Sequence, residues 1–146
     1  MNDATATTTS RTAVSLGYLA VLPFAVGAAL VWAVGVELRP VTSRALLAYC
    51  GIVISFIGGI HWGLVFARSS SAAGPLVWGV VPAIAAWLAL LAHPGIGLLA
   101  DAALLVACYR IDRRIYPEQG VAIWLPLRLR LTVFATLCCL AGAAGS

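Results

Sequence analysis

Five long apolar runs, separated by short polar breaks, follow a polar N-terminal stretch. The breaks include the charged segment ELRPVTSR, the linker RSSSAAGP and the turn HPG. A helix of about 20 residues crosses the hydrocarbon core of a bilayer, whereas an open sheet would leave its backbone groups unpaired there. The pattern therefore predicts five transmembrane helices, at about residues 14–36, 44–67, 75–92, 96–111 and 126–144.

Composition supports a membrane protein. The chain has 146 residues, of which 62% are hydrophobic and only 10% are charged, whereas a soluble domain carries about 25% charged residues. Residues 1–13 are polar and without periodicity, so they are predicted to form a flexible tail. Residues 14–146 are predicted to form a single all-α, polytopic membrane domain of five helices.

The arginines predict how the helices are oriented. Seven of the nine fall on the side of the N-terminus, and only Arg39 and Arg44 fall on the other side. Because inner loops are enriched in basic residues, the N-terminus is predicted inside and the C-terminus outside. The membrane would be the bacterial inner (cytoplasmic) membrane, or the mitochondrial inner membrane in a eukaryote.

The second predicted helix carries small residues at every fourth position. Such a ridge allows close approach of a neighbouring helix, which favours association in lipid. We therefore expect this helix to lie at the centre of the bundle. The ridge consists of Gly51, Ser55, Gly59, Gly63 and Ala67.

Two ionisable residues suggest a polar site within the bundle. His61 lies opposite the ridge, and Asp101 is the only acidic residue inside a predicted span. With a rise of about 1.5 Å per residue, His61 lies about 10 Å and Asp101 about 13 Å from the inner ends of their spans. Intramembrane charges usually face a partner, so a His61–Asp101 site is predicted, with Trp62 and Ser55 as walls. Purely structural roles for these residues are the alternative.

Other polar and proline residues have simpler interpretations. Pro23 and Pro82 lie near mid-span and each removes one helical hydrogen bond, which predicts bends. Arg128 and Arg130 begin the fifth span and are expected to reach the inner headgroups.

No catalytic constellation, nucleotide loop or metal-ligand set can be assembled, and no cofactor is expected. His93 is assigned to the outer side, too far from His61 to share an ion. We therefore interpret the chain as a structural or accessory component that packs through its second helix. The alternative is a small carrier or proton-linked permease that uses His61 and Asp101. An integral-membrane enzyme, or a lipid or quinone binder, is a third hypothesis, for which a groove open to lipid beside Trp62 is expected.

The expected partners are the lipid bilayer and either further copies of the chain or a larger membrane complex. Nucleic acid is not expected, because the arginines form no basic face.

The block LLAYCGIVISFIGGIHWGLVFA, residues 46–67, resembles the core of the domain of unknown function 3429 family, which includes the transmembrane protein 69 group. The stretch WLPLRLRLT resembles a second block of that family, in which a Tyr is expected where this chain has Leu125. The resemblance implies a five-helix inner-membrane protein and supplies no reaction. The resemblance also singles out the segment on which the packing and polarity arguments depend. Its residues are Gly58, Gly59, His61, Trp62 and Gly63.

Overall fold

The computed structural model describes residues 3–68 and 73–146, and within them it contains α-helices and one short 3-10 helix. The 3-10 helix, Ala122–Trp124, leads into the last α-helix. The α-helices are α1 (Asp3–Leu19), α2 (Leu22–Ala33), α3 (Arg39–Ala67), α4 (Ala73–Leu91), α5 (Pro94–Glu118) and α6 (Leu125–Gly145).

Among the described residues, five helical segments are long and apolar enough to cross a membrane, which confirms the predicted number. The first segment combines most of α1 with α2. The fourth, Pro94–Glu118, is longer than the predicted 96–111, because the helix continues through the charged residues after Ile111. This extension places Asp112 within the helix, where it is buried.

The helix α1 begins at Asp3, inside the segment predicted as a flexible tail, so the described residues 3–13 are helical. Adding a residue to an existing helix gains one hydrogen bond at little cost, whereas starting a helix is unfavourable. The apolar run after residue 13 can therefore extend its helix into a polar stretch that shows no periodicity of its own.

A break separates α1 from α2 just before Pro23, which lies in the first turn of α2. The carbonyl of Ala20 at this break accepts a hydrogen bond of 2.8 Å from the Tyr49 hydroxyl of α3. The Tyr49 ring also packs edge-on against Phe24, with 5.1 Å between ring centroids. The carbonyl freed by the break is thus satisfied by protein, as a membrane interior requires. Pro82, by contrast, lies within the continuous helix α4.

The helix α3 is the centre of the bundle, because it contacts α2, α4, α5 and α6. Its buried residues recur at three- and four-residue intervals, the spacing of one helix face. They are Ser43, Leu46, Leu47, Cys50, Ile54, Ile57, Gly58, His61 and Val65.

A close approach joins α3 to α4 at Gly58, which is not one of the predicted ridge positions. A side chain at Gly58 would collide with the carbonyl oxygen of Gly79, whereas Gly59 and Gly63 have nothing within 4 Å of an added Cβ. Of the ridge glycines, Gly51 alone has a neighbour from α4, with Ala86 Cβ 3.7 Å from an added Cβ. The neighbouring helix lies about 100° round α3 from the predicted face, so most of the ridge is turned outward.

Candidate functional site

Three helices each contribute one polar side chain to a continuous network, in which His61 and Asp112 are buried and Arg128 is partly buried. His61 on α3 is 1% exposed, and its Nε2 lies 3.0 Å from Oδ1 of Asp112 on α5. Because a carboxylate only accepts, Nε2 carries the hydrogen and donates it. The other carboxylate oxygen accepts a 2.8 Å hydrogen bond from Nε of Arg128 on α6. We call His61, Asp112 and Arg128 the buried network.

The network continues into α6 and leaves two nitrogens unpaired. Nη1 of Arg128 donates to Oγ1 of Thr132, one turn along the helix, at 2.9 Å. Within the described residues, Nη2 of Arg128 and Nδ1 of His61 are buried and have no hydrogen-bond partner. The ring of Tyr116 lies beside the imidazole, with 6.3 Å between centroids. The site therefore retains unused hydrogen-bonding capacity on both of its nitrogen-bearing side chains.

Charge in the network is balanced when the imidazole is neutral, since one carboxylate faces one guanidinium. The Asp112 side chain is 0% exposed and the Arg128 side chain 11% exposed. Such a pair persists in a medium of low dielectric constant only because each charge compensates the other. In the described part of the chain, no group of three or more His, Cys, Asp or Glu residues is placed to hold a metal ion.

The structure pairs His61 with Asp112 and not with Asp101, which corrects the predicted pair. Asp101 lies 11 residues earlier on α5, which corresponds to about 16 Å along the helix axis. The predicted pairing assumes that the fourth span ends near Arg110, but α5 continues to Glu118. Asp101 therefore lies farther from the end of its helix than a span ending near Arg110 would place it, and Asp112 takes the position beside the imidazole.

The two predicted wall residues also lie outside the network. Ser55 donates to the carbonyl of Gly51 within its own helix, at 2.8 Å. Trp62 is 39% exposed, and its Nε1 donates to the Leu76 carbonyl on α4, also at 2.8 Å. Trp62 therefore joins α3 to α4, on a different side of α3 from His61.

Sequence reasoning missed Asp112 and misassigned Arg128. The predicted fourth span ends at residue 111, which leaves Asp112 outside it, and the sequence predicts that Arg128 reaches the headgroups. The sequence does contain a signal for Asp112. The buried residues of α5 recur at intervals of three and four, and both Asp101 and Asp112 fall on this repeat, so both aspartates lie on the buried face of the helix. The buried positions Thr132, Ala135, Cys139 and Gly142 extend the same spacing from Arg128 along α6.

A cavity of about 420 Å³ adjoins the network, a volume in the range of small-molecule sites. Residues from α1, α2, α3, α5 and α6 form its walls, and nearly all of them are apolar. Its polar side chains are those of Tyr116, Arg128 and Thr132, with the indole of Trp124 nearby in the wall. The apolar wall includes Gly17, Phe24, Ile57, Ile60, Leu105, Leu131 and Ala135.

Five spans, one of them central, with charged side chains buried between three of the five, define a polytopic α-helical membrane protein with a polar interior. The chain belongs to the family described as Protein of unknown function (DUF3429), whose model matches residues 9–144. This confirms the resemblance seen in the sequence.

The chain is 36% identical over 99 residues to a protein named Transmembrane protein 69 from Xenopus tropicalis. That alignment covers 66% of this chain and 38% of the relative, so the chain spans well under half of the relative's length. No solved structure matches the chain.

Proposed function

We propose that this protein is an accessory component of an inner membrane that binds an amphipathic membrane molecule in the cavity beside the buried network. The observation that carries the proposal is the unpaired Nη2 of Arg128, since this side chain forms part of the wall of an otherwise apolar cavity. Ligand sites combine an apolar wall with a few placed polar groups that fix orientation. A buried donor without an acceptor is costly, so an acceptor oxygen on a bound molecule would satisfy it.

The charge balance favours a neutral ligand with a carbonyl oxygen. Asp112 already compensates the guanidinium at 2.8 Å. A second anion would leave an excess negative charge in a medium of low dielectric constant, which is unfavourable. A carbonyl on an apolar body, such as an isoprenoid quinone, would accept from Arg128 without adding charge.

The cavity walls favour entry from the bilayer. Phe56, which is 72% exposed, and Ala20, also exposed, both line the cavity. Exposed apolar residues of a spanning helix face lipid, so a molecule dissolved in the membrane would reach the cavity sideways. A polar solute would have to cross the same apolar wall, so the cavity favours apolar molecules from the bilayer.

The proposed setting is the bacterial inner membrane, or the mitochondrial inner membrane in a eukaryote, with the N-terminus inside. The arginine distribution supports it. Six arginines other than Arg128 still lie on the predicted inner side, against two on the outer side.

Occupancy of the cavity is tested by filling it. The full chain is purified in mild detergent, incubated with a short-chain quinone and analysed by native mass spectrometry. Ile60→Trp places a large ring in the cavity wall and should abolish the bound species. Ile52→Trp is the matched control, because Ile52 is 66% exposed on the same helix and should leave binding unchanged. Equal binding by both variants would refute the site.

The polar end of the cavity is tested with a second matched pair. Thr132→Val removes the hydroxyl that positions Arg128 and should weaken quinone binding. Thr136→Val, one turn further and outside the cavity, should not. A parallel incubation with phosphatidylglycerol distinguishes the ligand class, because selective retention of that anionic lipid would contradict the neutral-ligand assignment.

Assembly through α3 is a second candidate role, which we propose for a second copy of the chain. Gly59 and Gly63 are exposed and have nothing within 4 Å of an added Cβ, so this outward face has room for a close helix neighbour. A Gly-x-x-x-Gly spacing favours symmetric pairing in lipid. Gly59→Leu should disrupt a dimer on native gels more than His61→Ala does; the reverse order, or recovery of a larger complex, would contradict self-pairing.

The carrier alternative keeps His61 but changes its partner to Asp112. Within the described residues, Nδ1 of His61 has no hydrogen-bond partner, which leaves the imidazole one unused nitrogen. Proton flux into liposomes that depends on the protein and is lost in His61→Ala would support this role, and flux equal to that of empty liposomes would exclude it.

A further inference from the structure

Asp101 is a second buried carboxyl group, separate from the network. Its side chain lies on α5 and the residue is 0% exposed. Neither carboxylate oxygen has a hydrogen-bond partner within residues 3–68 and 73–146. Asp112, on the same helix, has both of its oxygens paired. The two aspartates of α5 therefore have opposite environments.

A small cavity of about 300 Å³ lies against Asp101, between α4 and α5. Its other walls are aliphatic, with Ala85 from α4 and Ala100, Ala103, Leu104 and Ala107 from α5. Ala100 and Ala103 are exposed, so the cavity lies on the outer flank of the bundle. Among the described residues that line this alanine-rich recess, only Asp101 has a polar side chain, and its two carboxylate oxygens are buried beneath the surface of the recess.

Among the described residues, no salt bridge joins Asp101 to a cation of a neighbouring helix. The helix α4 carries no titratable side chain at all. The neighbouring titratable group from α3 is the Cys50 thiol, with Cys139 of α6 behind it at 3.5 Å between sulfurs. An ionised carboxylate without a partner is strongly disfavoured in such surroundings. A thiol is a weak donor and does not replace a counter-charge.

We propose that Asp101 is a proton-binding site, neutral in the folded bundle, that membrane-dissolved molecules reach through the recess between α4 and α5. This site is independent of the quinone cavity and of the proposed function. A carboxylic acid at this depth donates one hydrogen bond and holds one proton, which it can release only when a cation or a proton acceptor enters the recess.

A hydrophobic carbodiimide tests both protonation and access. The carboxylic acid adds across the reagent's C=N bond, its proton moves to a reagent nitrogen, and an oxygen-to-nitrogen shift of the acyl group leaves a stable N-acylurea. The full chain in mild detergent is treated with dicyclohexylcarbodiimide and mapped by peptide mass spectrometry. The adduct should form on Asp101 and not on Asp112.

Three comparisons make the labelling specific. Asp101→Asn should remove the adduct, and Ala103→Phe, which fills the recess, should slow its formation. A water-soluble carbodiimide should instead label the exposed Glu37 and Glu118. Labelling of Asp112 equal to that of Asp101, or an unlabelled Asp101, would overturn the proposal.

Infrared difference spectroscopy gives a readout that does not depend on the reagent. Wild-type minus Asp101→Asn spectra should show the carbonyl stretch of a carboxylic acid. A difference containing only carboxylate bands would show that Asp101 is ionised and would refute the proposal. The wild-type and Asp101→Asn proteins should elute at the same volume in size-exclusion chromatography. This control separates loss of the fold from loss of the proton site.

Discussion

The buried network makes a quantitative prediction about which of its members the bundle can lose. Asp112→Leu removes the counter-charge of Arg128, whose side chain is only 11% exposed. Removing one partner of a buried ion pair costs about 3–5 kcal/mol. Arg128 lies in the first turn of α6 and its long side chain can turn toward the headgroups. We therefore expect a loss at the lower end of this range, about 3 kcal/mol of unfolding free energy.

His61→Leu should be much milder, because Asp112 and Arg128 remain paired. It removes one hydrogen bond of 3.0 Å, and hydrogen bonds inside membrane proteins contribute about 0.6 kcal/mol on average and at most about 1.7 kcal/mol. The double variant Asp112→Leu/Arg128→Met removes both charges, so it should be more stable than Asp112→Leu alone.

The assay is reversible unfolding of the purified chain in mixed micelles with increasing dodecyl sulfate, followed by tryptophan fluorescence. Arg130→Met is the control, since Arg130 is exposed two residues from Arg128 and should change stability little. Equal losses for Asp112→Leu and His61→Leu, or a double variant no more stable than Asp112→Leu, would refute the description of the network as a desolvated ion pair.

Three further predictions concern packing, the helix break and orientation. Gly58→Ala should lower thermal stability in detergent, because its methyl group meets the Gly79 carbonyl, while Gly59→Ala should leave it unchanged; equal effects would contradict the α3–α4 contact. Tyr49→Phe should cost about 1 kcal/mol in the same unfolding assay by leaving the Ala20 carbonyl unpaired, and an unchanged stability would show that another donor replaces the hydroxyl. A reporter fused to the C-terminus should be active outside the inner membrane, and cytoplasmic activity would reverse the proposed orientation.

The sequence by itself determined the class of protein and the central helix. Five apolar runs of spanning length leave helices as the only way to pair the backbone in lipid, and the structure has five such segments among its described residues. His61 on one side of α3 required that this side be enclosed, and His61 is 1% exposed. These conclusions depend on local chemistry and helical period, which a sequence contains directly.

Only the tertiary structure decided which groups meet. Two groups at the same depth pair only if their helices also have the right rotation and length, and these follow from packing against all neighbours at once. The length of α5 made Asp112 the partner of His61, and the rotation of α3 made Gly58 the close contact with α4. Arg128 turned inward because a buried carboxylate offered it a counter-charge that no local pattern encodes.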